Sequence, residues 1–475
     1  MSLARLNAFQ QAEVLQVVFK TTASSTAPLL LLESFVIGVL CACIPLGTYL
    51  LWVRPHSFSC APFISLPWIV LVTLFSHWIA SIRQLEGILT GQSLGISLTV
   101  DDVYRVASAH AASSGVHDLG DSYLYYGEAW EFFLPLVTET VLFGFSTTLF
   151  VIAAYISFKN YRSYQYSRMA SAVHVAILFM YILSLVHWVV LLRYFNLAAN
   201  HAASDDLSTS SYPAHTAAAF KVTLLTLLSF NTVMSDFIVL WRVYVIWDRA
   251  RSWLALGGVW LIILLALNVA NIVGIAAIQF GQGTSMTELN TQDSEVLPTY
   301  GMIYVGVGAA FMSLATNLSA TLLVGLKAWL LRWRIYKHFH SSSRRTFTER
   351  VMELVVDSGI AYAAIWLVYC ISLYRPITRF VVLGQDPTVN FPVVTTASHL
   401  DAAMAQITSI YPLIIFILVA IDKIHYLRGP QVLLDDELPG NMDTAVTVTV
   451  DVVADRDRII REAKGMPYSE SSMPR

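Results

Sequence analysis

The sequence predicts an all-α polytopic membrane protein: a seven-transmembrane-helix bundle preceded by a duplicated two-helix N-terminal hairpin, about nine spans in all. Three observations carry this. Of the 475 residues, 56% are hydrophobic and 13% charged, where roughly a quarter of an ordinary globular chain is charged. Several segments reach the length of about 20 mostly apolar residues that a helix needs to cross the hydrocarbon core. And the pattern His-Trp, four residues, Arg occurs twice, in "HWIASIR" at 77–83 and "HWVVLLR" at 187–193, both at the end of a long apolar run.

The elements follow in order. Residues 1–26 contain Glu13 and several polar positions and no compact apolar run, so no cleaved signal peptide is expected. Spans are expected at 27–53 and 63–84, which form the extra hairpin, and a loop follows at 85–132 with Arg105 among many acids. Spans at 133–157 and 169–195 are joined by Lys159, Arg162 and Arg168 without an acid, and spans at 217–247 and 253–280 are joined by Arg249 and Arg251. Spans at 300–331 and 351–374 flank the most basic stretch, Lys327 to Arg350, which adds Arg332, Arg334, Lys337, Arg344 and Arg345 against a lone Glu349. The last span is 396–421, and the seven-helix core is therefore 133–421. The tail, 422–475, mixes acids, bases, Gly and Pro without apolar periodicity and is expected to be mostly disordered.

Lys and Arg collect on the cytoplasmic side of membrane proteins. The alternating connections carry acids instead: Asp205 and Asp206 in 196–219, and Glu288, Asp293 and Glu295 in 281–299. The expected orientation is N-terminus outside and C-terminus in the cytoplasm, in the plasma membrane. Only 375–394, with Arg375 and Arg379, weakens that pattern. A net charge of −3 gives no reason to expect a nucleic-acid partner; the lipid bilayer is the partner composition implies. Cys41, Cys43, Cys60 and Cys370 form neither a disulfide framework nor a metal-ligand spacing.

The repeat extends beyond the His-Trp pair. Glu33, Gly38 and Tyr49 recur as Glu139, Gly144 and Tyr155 at one offset of 106, and His77-Trp78 recurs as His187-Trp188 at an offset of 110. Segment 27–84 therefore reads as an extra copy of 133–195, with "HAAS" at 110 and 201 as a weaker echo. The competing explanation is the shared composition of membrane helices. Both hairpins run in the same orientation, unlike the inverted repeats of many transporters.

The core helices carry the segments "ETVLFG" (139–144), "HWVVLLR" (187–193), "SDFIVLWRVYVIW" (235–247), "DSGIAYAAIWL" (357–367) and "ITSIYPLIIFILV" (407–419). With these motifs the chain resembles a group of uncharacterised seven-helix integral membrane proteins of mushroom-forming fungi. The resemblance covers roughly 290 residues and implies a seven-helix topology and a receptor-like shape, without a ligand or activity. Two departures stand out: Asp357 occupies a position where that group usually has Glu, and the extra hairpin is not part of its usual pattern.

Ionisable residues inside spans are the strongest functional pointers in a membrane protein. Glu139 and His187 lie at comparable depth toward the outer ends of the first two core helices, and are expected to pair under an outward-facing pocket, or to tie the hairpin together. Arg193, near the rim, reads most simply as a snorkelling anchor. Arg242 and Asp357, with Glu353 one turn earlier, match in depth near the cytoplasmic side and suggest a switchable bridge or a static pair. Asn231, Asp236, Asn268, Asn271 and Asn317 suggest a mid-membrane polar layer, either lining a cavity or joining helices.

No cofactor is expected. The last span lacks the lysine that would bind retinal, and His77, His174 and His187 are too scattered for a metal centre. No Gly-rich phosphate loop occurs. Asn317-Leu-Ser is a glycosylation triplet inside a span, so it should be unused. The preferred expectation is a receptor-like sensor with an extracellular small ligand and a cytoplasmic signalling partner that meets Lys327–Arg350 and the tail. The alternatives are a transporter or channel for a small solute or ion and, less favoured, an intramembrane lipid-modifying enzyme.

Overall fold

A chain crossing lipid must satisfy its backbone polar groups within each crossing, and only helices or closed barrels do so. The computed structural model describes the backbone of residues 8–52, 61–89, 118–161, 168–203, 214–247, 251–281, 300–338, 347–374 and 396–428. Among these, every element is helical: α1 (Ala8–Trp52), α2 (Ala61–Leu89), α3 (Asp118–Tyr161), α4 (Arg168–Ala203), α5 (Ala214–Ile246), α6 (Arg251–Gln279), α7 (Tyr304–His338), α8 (Phe347–Tyr374) and α9 (Thr396–Arg428). Each contains a stretch long and apolar enough to span a membrane, the shortest being Ser65–Leu85 at 21 residues. The protein is an all-α, multi-pass membrane protein.

The helices overrun the apolar segments that announce them. α3 begins at Asp118, inside the expected loop 85–132, and α9 continues to Arg428, past the expected end at 421. Hydropathy marks where a helix is in hydrocarbon, not where it stops. Pro45, Pro67, Pro135 and Pro412 all lie inside helices without ending them. The hydroxyls in the spans are largely absorbed locally: Ser34, Thr140 and Thr316 each donate to the carbonyl four residues earlier, at 2.6, 2.7 and 2.8 Å.

Residues Met1–Ile424 form one compact unit and His425–Arg475 a second, of which only the final turn of α9 is described. Within the first unit, α1 packs on α2, each successive pair from α3 to α8 packs as neighbours, α1 lies against α3, and α5 also lies against α7. The deepest core joins α5, α7, α8 and α9 around Tyr362, Trp366, Tyr369 and Tyr411. Tyr362 and Tyr411 stack with ring centroids 3.9 Å apart, and Trp366 meets Tyr369 edge-on at 5.7 Å. The first contact ties the face of α8 to α9, and the second holds two large rings together on that same face of α8. The helices differ widely in burial: the apolar window of α9 is 72% buried, that of α2 only 6%. So α9 is the central helix and α2 a peripheral one.

Candidate functional site

The α3–α4 hairpin is antiparallel, which sets residues 139–140 opposite 187–188. His187 Nδ1 lies 2.7 Å from Glu139 Oε1, with the Glu139 side chain fully buried. Next to it, Trp188 Nε1 donates to Thr140 Oγ1 at 2.9 Å, and the Trp188 ring stacks on Phe143 at 4.9 Å. The expected Glu139–His187 pair therefore exists. Arg193 is exposed and takes no part in it.

The pair is closed by α9. Gln406 Nε2 donates to Glu139 Oε1 at 2.9 Å and to the Ser184 carbonyl at 3.2 Å. One turn on, Ser409 Oγ lies 2.8 Å from Ser184 Oγ. From α5, Asn231 Nδ2 donates to the Ala405 carbonyl at 2.8 Å and to Ser184 Oγ at 3.4 Å. Four helices thus converge on one buried polar centre. Within it, Glu139 Oε2, Gln406 Oε1 and Asn231 Oδ1 are buried without a protein hydrogen-bond partner. An amide oxygen or an ionised carboxylate oxygen can only accept, so these three atoms call for donors the centre does not supply.

The expected mid-membrane layer divides into separate contacts. Asp236 accepts from Ser313 Oγ at 2.5 Å and from Asn317 Nδ2 at 2.9 Å, joining α5 to α7. Asn268 Oδ1 accepts from Tyr300 at 2.7 Å, while Asn268 Nδ2 turns back to the Leu264 carbonyl. Asn271 is fully buried with its amide unbonded. Only Asn231 belongs to the Glu139 centre; Asp236 and Asn317 form a second site, Asn268 a third.

One expected pair is not made. Arg242 Nη2 donates to Tyr411 Oη at 3.0 Å, and its guanidinium lies 5.0 Å from the same ring's centroid. Asp357 and Glu353 are exposed on α8. The depth match between Arg242 and Asp357 holds along the helix axes but not around them. Each residue turns a helix by about 100 degrees, and the phase of α8 that buries Tyr362, Trp366 and Tyr369 carries Asp357 outward. The bridge is thereby corrected to an Arg242–Tyr411 contact between α5 and α9.

Residues overlooked in the sequence are mostly on α9: Gln406, Ser409 and Tyr411, together with Asp401, which accepts from Tyr369 Oη at 2.5 Å. His399 Nδ1 adds a contact to Thr138 Oγ1 at 2.8 Å. A signal was present, since Asp401, Gln406, Thr408 and Ser409 are an unusual run of polar residues for a span.

The first hairpin has the same local geometry. His77 Nδ1 lies 2.6 Å from Glu33 Oε1, and Trp78 Nε1 donates to Ser34 Oγ at 2.9 Å. Here, however, the His77 side chain is 70% exposed, against 9% for His187. The "HAAS" echo at 110 and 201 lies outside the residues whose side chains are described. Compared with known proteins, the chain matches no family model, no curated protein and no solved structure.

Proposed function

We propose that α3–α9 form a receptor-like seven-helix sensor and that α1–α2 is a duplicated copy of its first hairpin. The observation that carries the reading is the polar centre held by α3, α4, α5 and α9. In a low-dielectric interior, each acceptor left without a donor costs on the order of several kcal/mol. A small ligand bearing N–H or O–H groups would satisfy Glu139 Oε2, Gln406 Oε1 and Asn231 Oδ1 together, and would thereby pull on α9. Because α9 also holds Arg242 through Tyr411, movement at the polar centre has a direct mechanical route to α5. In this reading the N-terminus is outside, the C-terminus is in the cytoplasm of a plasma-membrane protein, and Lys327–Arg350 with the tail meets a signalling partner. The resemblance to the fungal seven-helix group agrees with the core but supplies no ligand.

Transport is the second reading. Transporters commonly build midplane sites from broken helices, whereas each span of α3–α9 is described as one continuous helix. That favours a sensor. The test pairs a reporter cell exposed to a panel of small hydrogen-bond donors with a liposome assay of ion and solute flux. A compound-dependent signal lost in Glu139→Gln and Gln406→Leu, without flux, is the expected result. Flux through the wild-type protein that is abolished by the same substitutions would overturn the sensor reading in favour of transport.

A further inference from the structure

The contact between α1 and α3 has an internal symmetry. A Cβ placed on Gly38 would run into the carbonyl oxygen of Val141, and a Cβ placed on Gly144 would run into the carbonyl oxygen of Phe35. At the repeat offset of 106, Gly38 corresponds to Gly144 and Phe35 to Val141. The two close approaches are therefore one contact seen from either side: 38 against 141, and 144 against 35. Reciprocity of this kind defines an isologous, two-fold interface between equal surfaces. Since α2 crosses the membrane between them, α1 and α3 run in the same direction, as two copies of one helix do about an axis along the membrane normal. Small residues that let two backbones approach are the usual means of such pairing in lipid. Independently of the glycines, each hairpin repeats the Glu–His and hydroxyl–Trp bonds, at 2.6 and 2.9 Å in one and 2.7 and 2.9 Å in the other. The two halves of the contact thus present matching frames, and the Phe35 and Phe143 rings, 6.0 Å apart, fill the space beside the crossing.

We propose that the Gly144 face of α3 is a self-recognition surface: α1 occupies on it the place of α3 from a second copy of this chain, and a second copy takes that place when α1 is displaced. The α1–α2 hairpin is then a built-in cap that satisfies the surface within one chain. The inference rests on the duplication reading but not on the sensor reading, which stands or falls on the reporter and flux assays.

The test uses the full chain with its native cysteines replaced by serine, reconstituted in phosphatidylcholine vesicles, with Val141→Cys as the reporter of α3–α3 contact. Val151→Cys, at a position 60% exposed on the same helix, measures chance collisions. With Gly38 intact, interchain disulfide at 141 should stay at the collision level. Gly38→Leu should raise it by about tenfold, and adding Gly144→Leu should return it to baseline, because the second glycine is required on both partners. Gly38→Ala is the arm that spares folding; its single methyl already meets the Val141 carbonyl, so it should move the yield in the same direction. No rise above the Val151→Cys level in either Gly38 variant, or a rise that survives Gly144→Leu, would overturn the proposal.

Discussion

The hairpins α1–α2 and α3–α4 carry the same hydrogen bonds and differ in what lies over them. In α3–α4 the Glu–His pair is sealed by Gln406 from α9; in α1–α2 the matching His77 is mostly exposed and no comparable amide from another helix bonds Glu33 among the described residues. The motif sets the pairing of two antiparallel helices, while its depth in the bundle is set by the helices that arrive later in the chain. A pair of residues that looks like chemistry in a sequence is thus first a fastening for a hairpin. It becomes a candidate site only where further helices add polar groups they do not fully satisfy.

The largest effect should come from removing the carboxyl from each copy. Glu139→Ala strands His187 and Gln406 in the interior and should cost about 3 kcal/mol of unfolding free energy in bicelles, the scale of breaking a buried pair. Glu33→Ala should cost about 1 kcal/mol or less, the usual worth of an interhelical bond in lipid. Equal losses at the two sites would break the comparison. A smaller effect, about 1–2 kcal/mol, is expected for Gln406→Leu. Its diagnostic property is coupling. The double variant with Glu139→Ala should cost less than the two single losses added, whereas the double variant with Glu33→Ala should be additive. Smaller again are Trp78→Phe and Trp188→Phe, which delete one bond each to Ser34 and Thr140. Both should cost about 1 kcal/mol or less, and similar values in the two hairpins would show that the fastening is the same in both.

The bundle and the Glu139–His187 pair were legible in the sequence for one reason: both depend on position along the helix axis. An apolar run gives the crossing, and two residues at equal depth on helices joined by a short connection meet when both face the shared seam, as Glu139 and His187 do. The polar centre also needs α9, which meets α3 at a sequence separation of 267 residues, and no periodicity in either segment says that those two faces touch. Gln406 and Ser409 were visible as polar residues in a span, but their partners were not. The spans made this harder because lipid-facing helices show little contrast between their two sides: Val36 and Leu32 of α1, at 41% and 61% exposure, are as apolar as buried Leu30 and Ile37. Rotation about the axis was therefore the missing coordinate, and the polar layer, read as one stratum, separates into contacts between different helix pairs.

Asp357 carries that lesson to its smallest measurable consequence. Depth alone joins it to Arg242, but the packing of Tyr362, Trp366 and Tyr369 turns it outward and leaves Arg242 on Tyr411. Asp357→Asn should therefore change unfolding free energy by no more than about 0.5 kcal/mol, as at other exposed positions. Tyr411→Phe, which keeps the ring under the guanidinium and deletes only the hydroxyl acceptor, should cost about 1 kcal/mol. Combining Arg242→Asp with Asp357→Arg should give no recovery over Arg242→Asp alone, because the second position has no contact to restore. A recovery in that double variant would place Asp357 against Arg242 after all, and would make outward-facing charge on α8 as consequential as the buried Glu139.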